Sequence, residues 1–225
     1  MKVIYFNNKL NKEPIRNKSS IIKMIIRACE MIISKQYTKS ETYKRNTKLP
    51  VYLHQLNRIF IDEENQLFSI SFPFKIDLEN SKVFFFENQI NSKYFAIIRS
   101  VIDDFDERCF SISDFKDKLD DNEAYVNLKD EQDIIDKLIT FLLCYETGYI
   151  RYDDDPETFK KYQNEDRPSV HPQYHFDVNY TDKFSYKIGL YKSLKLSEFI
   201  DFFDPKTNCW FIEKERIDKN KQRYR

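Results

Sequence analysis

Residues 149–203 read YIRYDDDPETFKKYQNEDRPSVHPQYHFDVNYTDKFSYKIGLYKSLKLSEFIDFF, and this stretch decides what kind of fold the chain adopts. Tyr149 to Asp153 mixes aromatic and charged residues in alternation, as a strand buried on one face does. The run ends at Asp153-Asp154-Asp155-Pro156, where proline removes a backbone donor and predicts a loop. A second strand opens over His171-Pro172-Gln173-Tyr174-His175-Phe176-Asp177, and a turn is expected at Thr181-Asp182-Lys183. A third strand then runs from Phe184 to Tyr191, and Leu194 to Phe203 reads as a closing helix. The unit is strand–loop–strand–strand–helix.

Alternation places Arg151, Asp153 and Asp155 on one face of the first strand, with Tyr152 and Asp154 on the other. In the second strand His175 and Asp177 share a face opposite Phe176 and Val178. If the two strands pair, Asp153, Asp155, His171, His175 and Asp177 converge at one end of the sheet. Two imidazoles beside carboxylates can perform general acid–base chemistry on a phosphodiester, or hold a divalent metal. Arg151 suits a phosphate contact. The candidate catalytic set is therefore His171, His175, Asp153, Asp155 and Arg151. Asp177 with His175 is the candidate metal pair, and a divalent ion the one candidate cofactor. The same residues also make a structural network, with Arg151 paired to an aspartate and His175 donating to a backbone carbonyl. The H-x-x-x-H spacing does not choose between the two.

Outward from this unit, Asn127 to Glu146 is the clearest helix, with acids in its first turn and Ile134, Ile135, Leu138, Phe141, Leu142 and Tyr145 along one face. Tyr94 to Phe105 reads as a helix capped by Ser92, and Lys82 to Glu87 as a strand. Val51 to Ile61 and Gln66 to Asp77 are strand-like, Phe68, Ile70, Phe72 and Phe74 alternating with small residues. His54 falls in the first of these and reads as structural. A helix is expected from Ser19 or Ser20 to about Ser34; its apolar arc is wide enough to demand burial on most sides, by the domain or by a partner. Lys2 to Phe6 is a further short strand. The fold class is α+β: a mostly antiparallel sheet of about five to seven strands with an N-terminal and a central helix packed on it. One domain is expected over 1–225, with a basic N-terminal helical portion over about 1–49.

Composition excludes several classes. Twenty phenylalanines and fifteen tyrosines supply more apolar area than a disordered chain carries. With two glycines in 225 residues, neither a dinucleotide-binding fingerprint, nor a phosphate-binding loop, nor a nucleophile elbow can be built. The longest apolar run, Ile21 to Ile33, is interrupted by Lys23, Arg27 and Glu30, so no membrane span is expected. Cys29, Cys109, Cys144 and Cys209 form no C-x-x-C pair and read as free, buried thiols of a cytoplasmic protein.

The zero net charge hides an asymmetry: residues 1–61 carry 13 Lys/Arg against 3 Glu, whereas 103–133 carry 12 Asp/Glu against 4 Lys/Arg. Such segregation can steer a nucleic acid or a charged partner, or the two segments can neutralise one another. Within the basic part, Lys35, Lys39, Lys44, Arg45 and Lys48 are interleaved with Tyr37 and Tyr43, a composition suited to single-stranded nucleic acid or to a solvated loop.

Arg151-Tyr152-Asp153-x-Asp155-Pro156, His171-Pro172-x-x-His175, the K-I-G-L strand and Leu196-x-Glu198-Phe199-Ile200-x-Phe202 together resemble an uncharacterised bacterial family, the domain of unknown function numbered twenty-two ninety. The resemblance covers the C-terminal third. In that family an R-Y-[D/E]-x-D-P strand precedes H-P-x-x-H-L. Many members place a polar residue, sometimes a third histidine, two positions after the second histidine, where this chain has Asp177. The chain is also similar to small toxin–antitoxin proteins that pair an R-Y-D strand with a later histidine cluster. The resemblance brings no established activity; it implies a bacterial protein from an antiphage-defence or mobile-element setting. Two functions are thus expected of the chain. The first is an accessory component of a defence or toxin–antitoxin module that binds a protein partner encoded alongside it. The alternative is an RNase- or nuclease-like enzyme using the His/Asp cluster.

Overall fold

The computed structural model describes residues 3–10, 15, 17–42, 50–63, 65–103, 112–167, 170–178 and 186–209. Eleven strands and seven α-helices follow in the order β1 Val3–Phe6, α1 Lys18–Ile33, β2 Tyr37–Ser40, β3 Val51–Leu53, β4 Arg58–Glu63, β5 Gln66–Ser71, β6 Lys75–Asp77, β7 Lys82–Phe85, β8 Asn88–Ile90, α2 Ser92–Asp103, α3 Ile112–Asp120, α4 Glu123–Val126, α5 Gln132–Cys144, β9 Ile150–Asp154, α6 Pro156–Asn164, β10 Tyr174–Val178, β11 Tyr186–Leu190 and α7 Leu196–Asp201. The fold is α+β. An eight-stranded sheet in the order β11-β10-β9-β5-β4-β3-β1-β2 and a three-stranded sheet β6-β7-β8 are antiparallel throughout.

Over β1, β3, β4 and β5 the large sheet is buried on both faces, and period-2 alternation sorts its residues between two cores. Ile4, Phe6, Tyr52, Ile59, Ile61, Phe68 and Ile70 face the larger core, which they share with α1, α2 and α5. Val3, Tyr5, Val51, Leu53, Phe60, Leu67, Tyr152 and Phe176 face the smaller one, closed by Leu196 and Phe199 of α7. The wide apolar arc of α1 is satisfied within the chain: ten of its residues are buried, and it packs on α2, β7 and α5. Asn17, not Ser19 or Ser20, caps it, accepting from the Ser20 N–H at 2.9 Å.

Several expectations are corrected. Val51 to Ile61 is not one strand: β3 and β4 form a hairpin, and His54 lies exposed in its turn. Part of the basic polar stretch is the edge strand β2, paired only with β1. The central helix begins after a 3-10 turn at Lys129–Glu131 and ends at Cys144, short of Gly148. Asn91 rather than Ser92 caps α2, accepting from Lys93 N–H at 2.9 Å. The segment after Pro156 is helix, not loop: Asp155 is its N-cap, accepting from Thr158 N–H at 3.0 Å, and Pro156 its first residue. Cys29 is buried as expected, but Cys144 and Cys209 are exposed. Among the described residues no helix is long and apolar enough to cross a membrane. The two oppositely charged segments touch at Lys23 of α1 and Asp103 of α2, 2.8 Å apart. The expected turn at Thr181–Lys183 lies outside the described residues.

Candidate functional site

The face of the sheet that is apolar core over β1 to β5 turns charged at β9, β10 and β11. Register explains how. Asp153 stands opposite His175 and Arg151 opposite Asp177 across β9–β10, while His175 faces Gly189 and Asp177 faces Lys187 across β10–β11. Because Tyr152 and Phe176 point into the smaller core, their neighbours must all point to the opposite face. Five polar side chains are thereby held on three adjacent strands.

The innermost three are Asp153, His175 and Asp177, exposed by 6%, 0% and 0%. Each offers a ligand atom, and these atoms lie within 4.8 Å of one another. Arg151 Nη2 bridges the two carboxylates, 2.7 Å from Asp153 Oδ2 and 2.6 Å from Asp177 Oδ2. Lys187 Nζ donates to Asp177 Oδ1 at 2.8 Å and to His175 Nε2 at 2.8 Å. Two anions and two cations leave the cluster neutral, which limits the cost of burying it.

The tautomer of His175 follows from its partners. Its Nδ1 lies 2.8 Å from the Pro172 carbonyl oxygen, which can only accept, so Nδ1 carries the proton. Its Nε2 faces an ammonium, which can only donate, so Nε2 carries the lone pair. A neutral imidazole with Nδ1–H tied to a backbone carbonyl and Nε2 turned inward is the arrangement a metal ligand or proton acceptor requires. Gly189 makes room for it: a Cβ there would come within 2.9 Å of Pro172 Cγ.

Around this centre lies a more exposed rim. His171 Nε2 is 3.1 Å from Asp155 Oδ2, its ring stacks on Tyr162 of α6 at 6.1 Å and 15°, and it meets the His175 ring edge-on at 4.7 Å. An ionised Asp155 only accepts, so His171 Nε2 carries the proton and Nδ1 the lone pair. Side-chain exposures of 15% for His171, 17% for Arg151, 28% for Lys187 and 34% for Asp155 make these the groups a ligand meets first.

The electrostatics match. Burial works to raise the Asp177 carboxyl, but the hydrogen bond and charge of Lys187 and the charge of Arg151 hold it below the ordinary carboxylate range. Burial works to lower Arg151, and Asp153, Tyr149 and Asp177 more than offset it. His171 is lowered by burial, then by Lys187 and His175, against the opposing pull of Asp155. Asp155 itself is pushed up by burial but brought below its ordinary value by the Thr158 hydrogen bonds and by His171.

Of the residues singled out from the sequence, Asp153, His175 and Asp177 form the centre, and Arg151, Asp155 and His171 the rim. Lys187 was missed. It lies on the expected K-I-G-L strand, and the signal that could have found it is its spacing from Gly189, two positions along the same face. The basic stretch does not join the site. Lys39 lies on β2, where its ammonium reaches the Leu78 carbonyl, and Lys35 is exposed just after α1. Edge strand β2 is five inter-strand steps from β9, about 24 Å at ~4.8 Å per step. Lys44, Arg45 and Lys48 lie outside the described residues.

Comparison of the chain with protein-family models, with curated proteins and with solved structures finds no match.

Proposed function

We propose that the protein is a nuclease-like enzyme that hydrolyses phosphodiesters at the β9–β11 cluster. The observation that supports this most is that the cationic rim of Arg151 and Lys187 lies beside a neutral His171 whose Nδ1 lone pair is set by Asp155. A phosphodiester anion docks on the two cations. His171 Nδ1 takes a proton from water as the water oxygen bonds to phosphorus and the ester P–O bond breaks. The departing alkoxide takes a proton from Lys187, and the proton on His171 returns to Lys187 through solvent. His175 and Asp177 are positioning residues for Lys187. Purified protein incubated with single- and double-stranded RNA and DNA, in Mg²⁺, Mn²⁺ or chelator, tests this. Chain scission is expected in at least one arm; intact substrate in every arm contradicts it.

A second reading, a partner-binding accessory component of a bacterial defence or toxin–antitoxin module, is favoured by Phe86. This ring is 73% exposed at the first position of the β7–β8 turn, with φ of 49°. It packs on Phe85 and Phe141, beside a recess of about 420 Å³ that is mostly apolar. A left-handed conformation costs a phenylalanine ~1–2 kcal/mol, so local stability does not select it there. Co-expression with the products of neighbouring genes, followed by size-exclusion chromatography, separates the readings: a lone monomer contradicts this one.

A further inference from the structure

We infer that Asp153, His175 and Asp177 form a divalent-cation site, filled in the metal-free protein by Arg151 Nη2 between the two carboxylates and by the Lys187 ammonium between His175 and Asp177; when an ion binds, Lys187 leaves and Arg151 shifts aside. The inference rests on reading the cluster as functional and names the ion it takes. Two independent observations carry it. The first is the donor set: one imidazole nitrogen with its lone pair fixed inward and two carboxylates, all within 4.8 Å. The second is that the buried Asp153 is under-satisfied. Its Oδ2, paired with Arg151 Nη2 at 2.7 Å, lies 3.5 Å from His175 Nε2, while its Oδ1 has no hydrogen-bond partner among the described residues. A buried carboxylate oxygen left so is costly, and a cation bound by both oxygens satisfies it.

Size and charge both fit an exchange. Lys187 holds its contacts at 2.8 Å, and the Asp177 Oδ2 to His175 Nε2 separation is 3.9 Å. Metal bonds of about 2.1 Å place ligand atoms roughly 3.0–3.4 Å apart, a contraction within reach of side-chain torsions. With nitrogen and carboxylate donors the site suits Mn²⁺ or Zn²⁺. Lys187 sits on the edge strand with 28% of its side chain exposed, so its head can move into solvent without disturbing the sheet. Replacing one ammonium by a divalent ion changes the cluster from neutral to a single positive charge, which one phosphodiester anion balances.

The test is titration of chelator-treated, full-length protein with MnCl₂ and no nucleic acid, followed by electron paramagnetic resonance and calorimetry. Wild type is expected to bind one ion. Lys187→Met, which removes the competing charge, is expected to bind it about tenfold more tightly or better. Asp153→Asn, nearly the same shape, is expected to abolish binding in either background while its circular dichroism is unchanged. No Mn²⁺ bound by wild type or Lys187→Met, weaker binding in Lys187→Met, or binding indifferent to Asp153→Asn overturns the inference. Its failure is separable from that of the nuclease reading. Cleavage in chelator without Mn²⁺ binding removes the cation site alone; Mn²⁺ binding without cleavage removes the nuclease alone.

Discussion

Lys187 Nζ sits 2.8 Å from His175 Nε2, and because an ammonium only donates, the imidazole must present a lone pair to it. The Pro172 carbonyl imposes the same tautomer from the other side of the ring. Most buried histidines in a scaffold use such contacts to satisfy their polar atoms. Here Nε2 also lies 3.5 Å and 3.9 Å from two carboxylates, one of which keeps a buried oxygen with no hydrogen-bond partner among the described residues. The cluster is neutral overall but, among the described residues, not fully satisfied.

Asp177 carries the charge balance. Asp177→Ala removes the one carboxylate that both Arg151 and Lys187 contact. Breaking a buried pair in this way costs about 3–5 kcal/mol, read as a lower urea midpoint at unchanged slope. Lys187→Met should cost clearly less, because the Lys187 side chain is 28% exposed where that of Asp177 is fully buried.

Gly189 is needed for space. A methyl group there lies 2.9 Å from Pro172 Cγ and 3.2 Å from its Cβ, and a proline ring cannot swing aside. Gly189→Ala should destabilise the protein by about 1–3 kcal/mol and displace the carbonyl that orients His175. Denaturation with NMR of the His175 ring nitrogens checks both effects.

His171 predicts a pH dependence. Its folded pKa is lowered, chiefly by burial, so the unfolded chain binds the proton more readily. The contribution is fully present above the ordinary value of about 6.5 and is lost as pH falls through the folded value. Asp155 and Asp177 are also lowered, but from carboxylate values near 4, so their losses come at more acidic pH. Thermal midpoints between pH 7.5 and 5 should therefore decline in wild type and flatten in His171→Gln.

Phe86 gives a prediction of opposite sign. Asparagine tolerates a positive φ, and the exposed ring contributes little burial, so Phe86→Asn should raise stability by up to about 1 kcal/mol. If Phe86 is a docking residue, the same substitution abolishes partner capture. A stabilised variant that still captures the partner contradicts that role.

Much of this geometry is legible in the sequence, for a definite reason. Alternation is local, so the sequence alone placed Arg151 with Asp153 and His175 with Asp177, opposite Tyr152 and Phe176. What it could not supply is register across strands, which depends on the chain between β10 and β11, and Lys187 was missed on that account. Helix α6 was missed because none of its residues is buried and no apolar period marks it. Its only signal is the Asp155-Pro156-Glu157 cap, and Pro156 reads as a strand terminator although it is also a helix start. Strand β2 escaped for a related reason: as an edge strand with no buried residue, it alternates nothing apolar. The wide arc of α1 was read correctly, but whether the domain or a partner covers it required the packing of α2, β7 and α5.

The most direct test of the account is cleavage of end-labelled single-stranded RNA and DNA by wild type and by His171→Ala, with thermal melting of both recorded alongside. The account predicts scission by wild type and a loss of about 100-fold or more in His171→Ala, as removal of a general base produces, while both proteins remain folded. Equal rates in the two folded proteins, or no scission by wild type on any substrate with or without Mn²⁺, would contradict it.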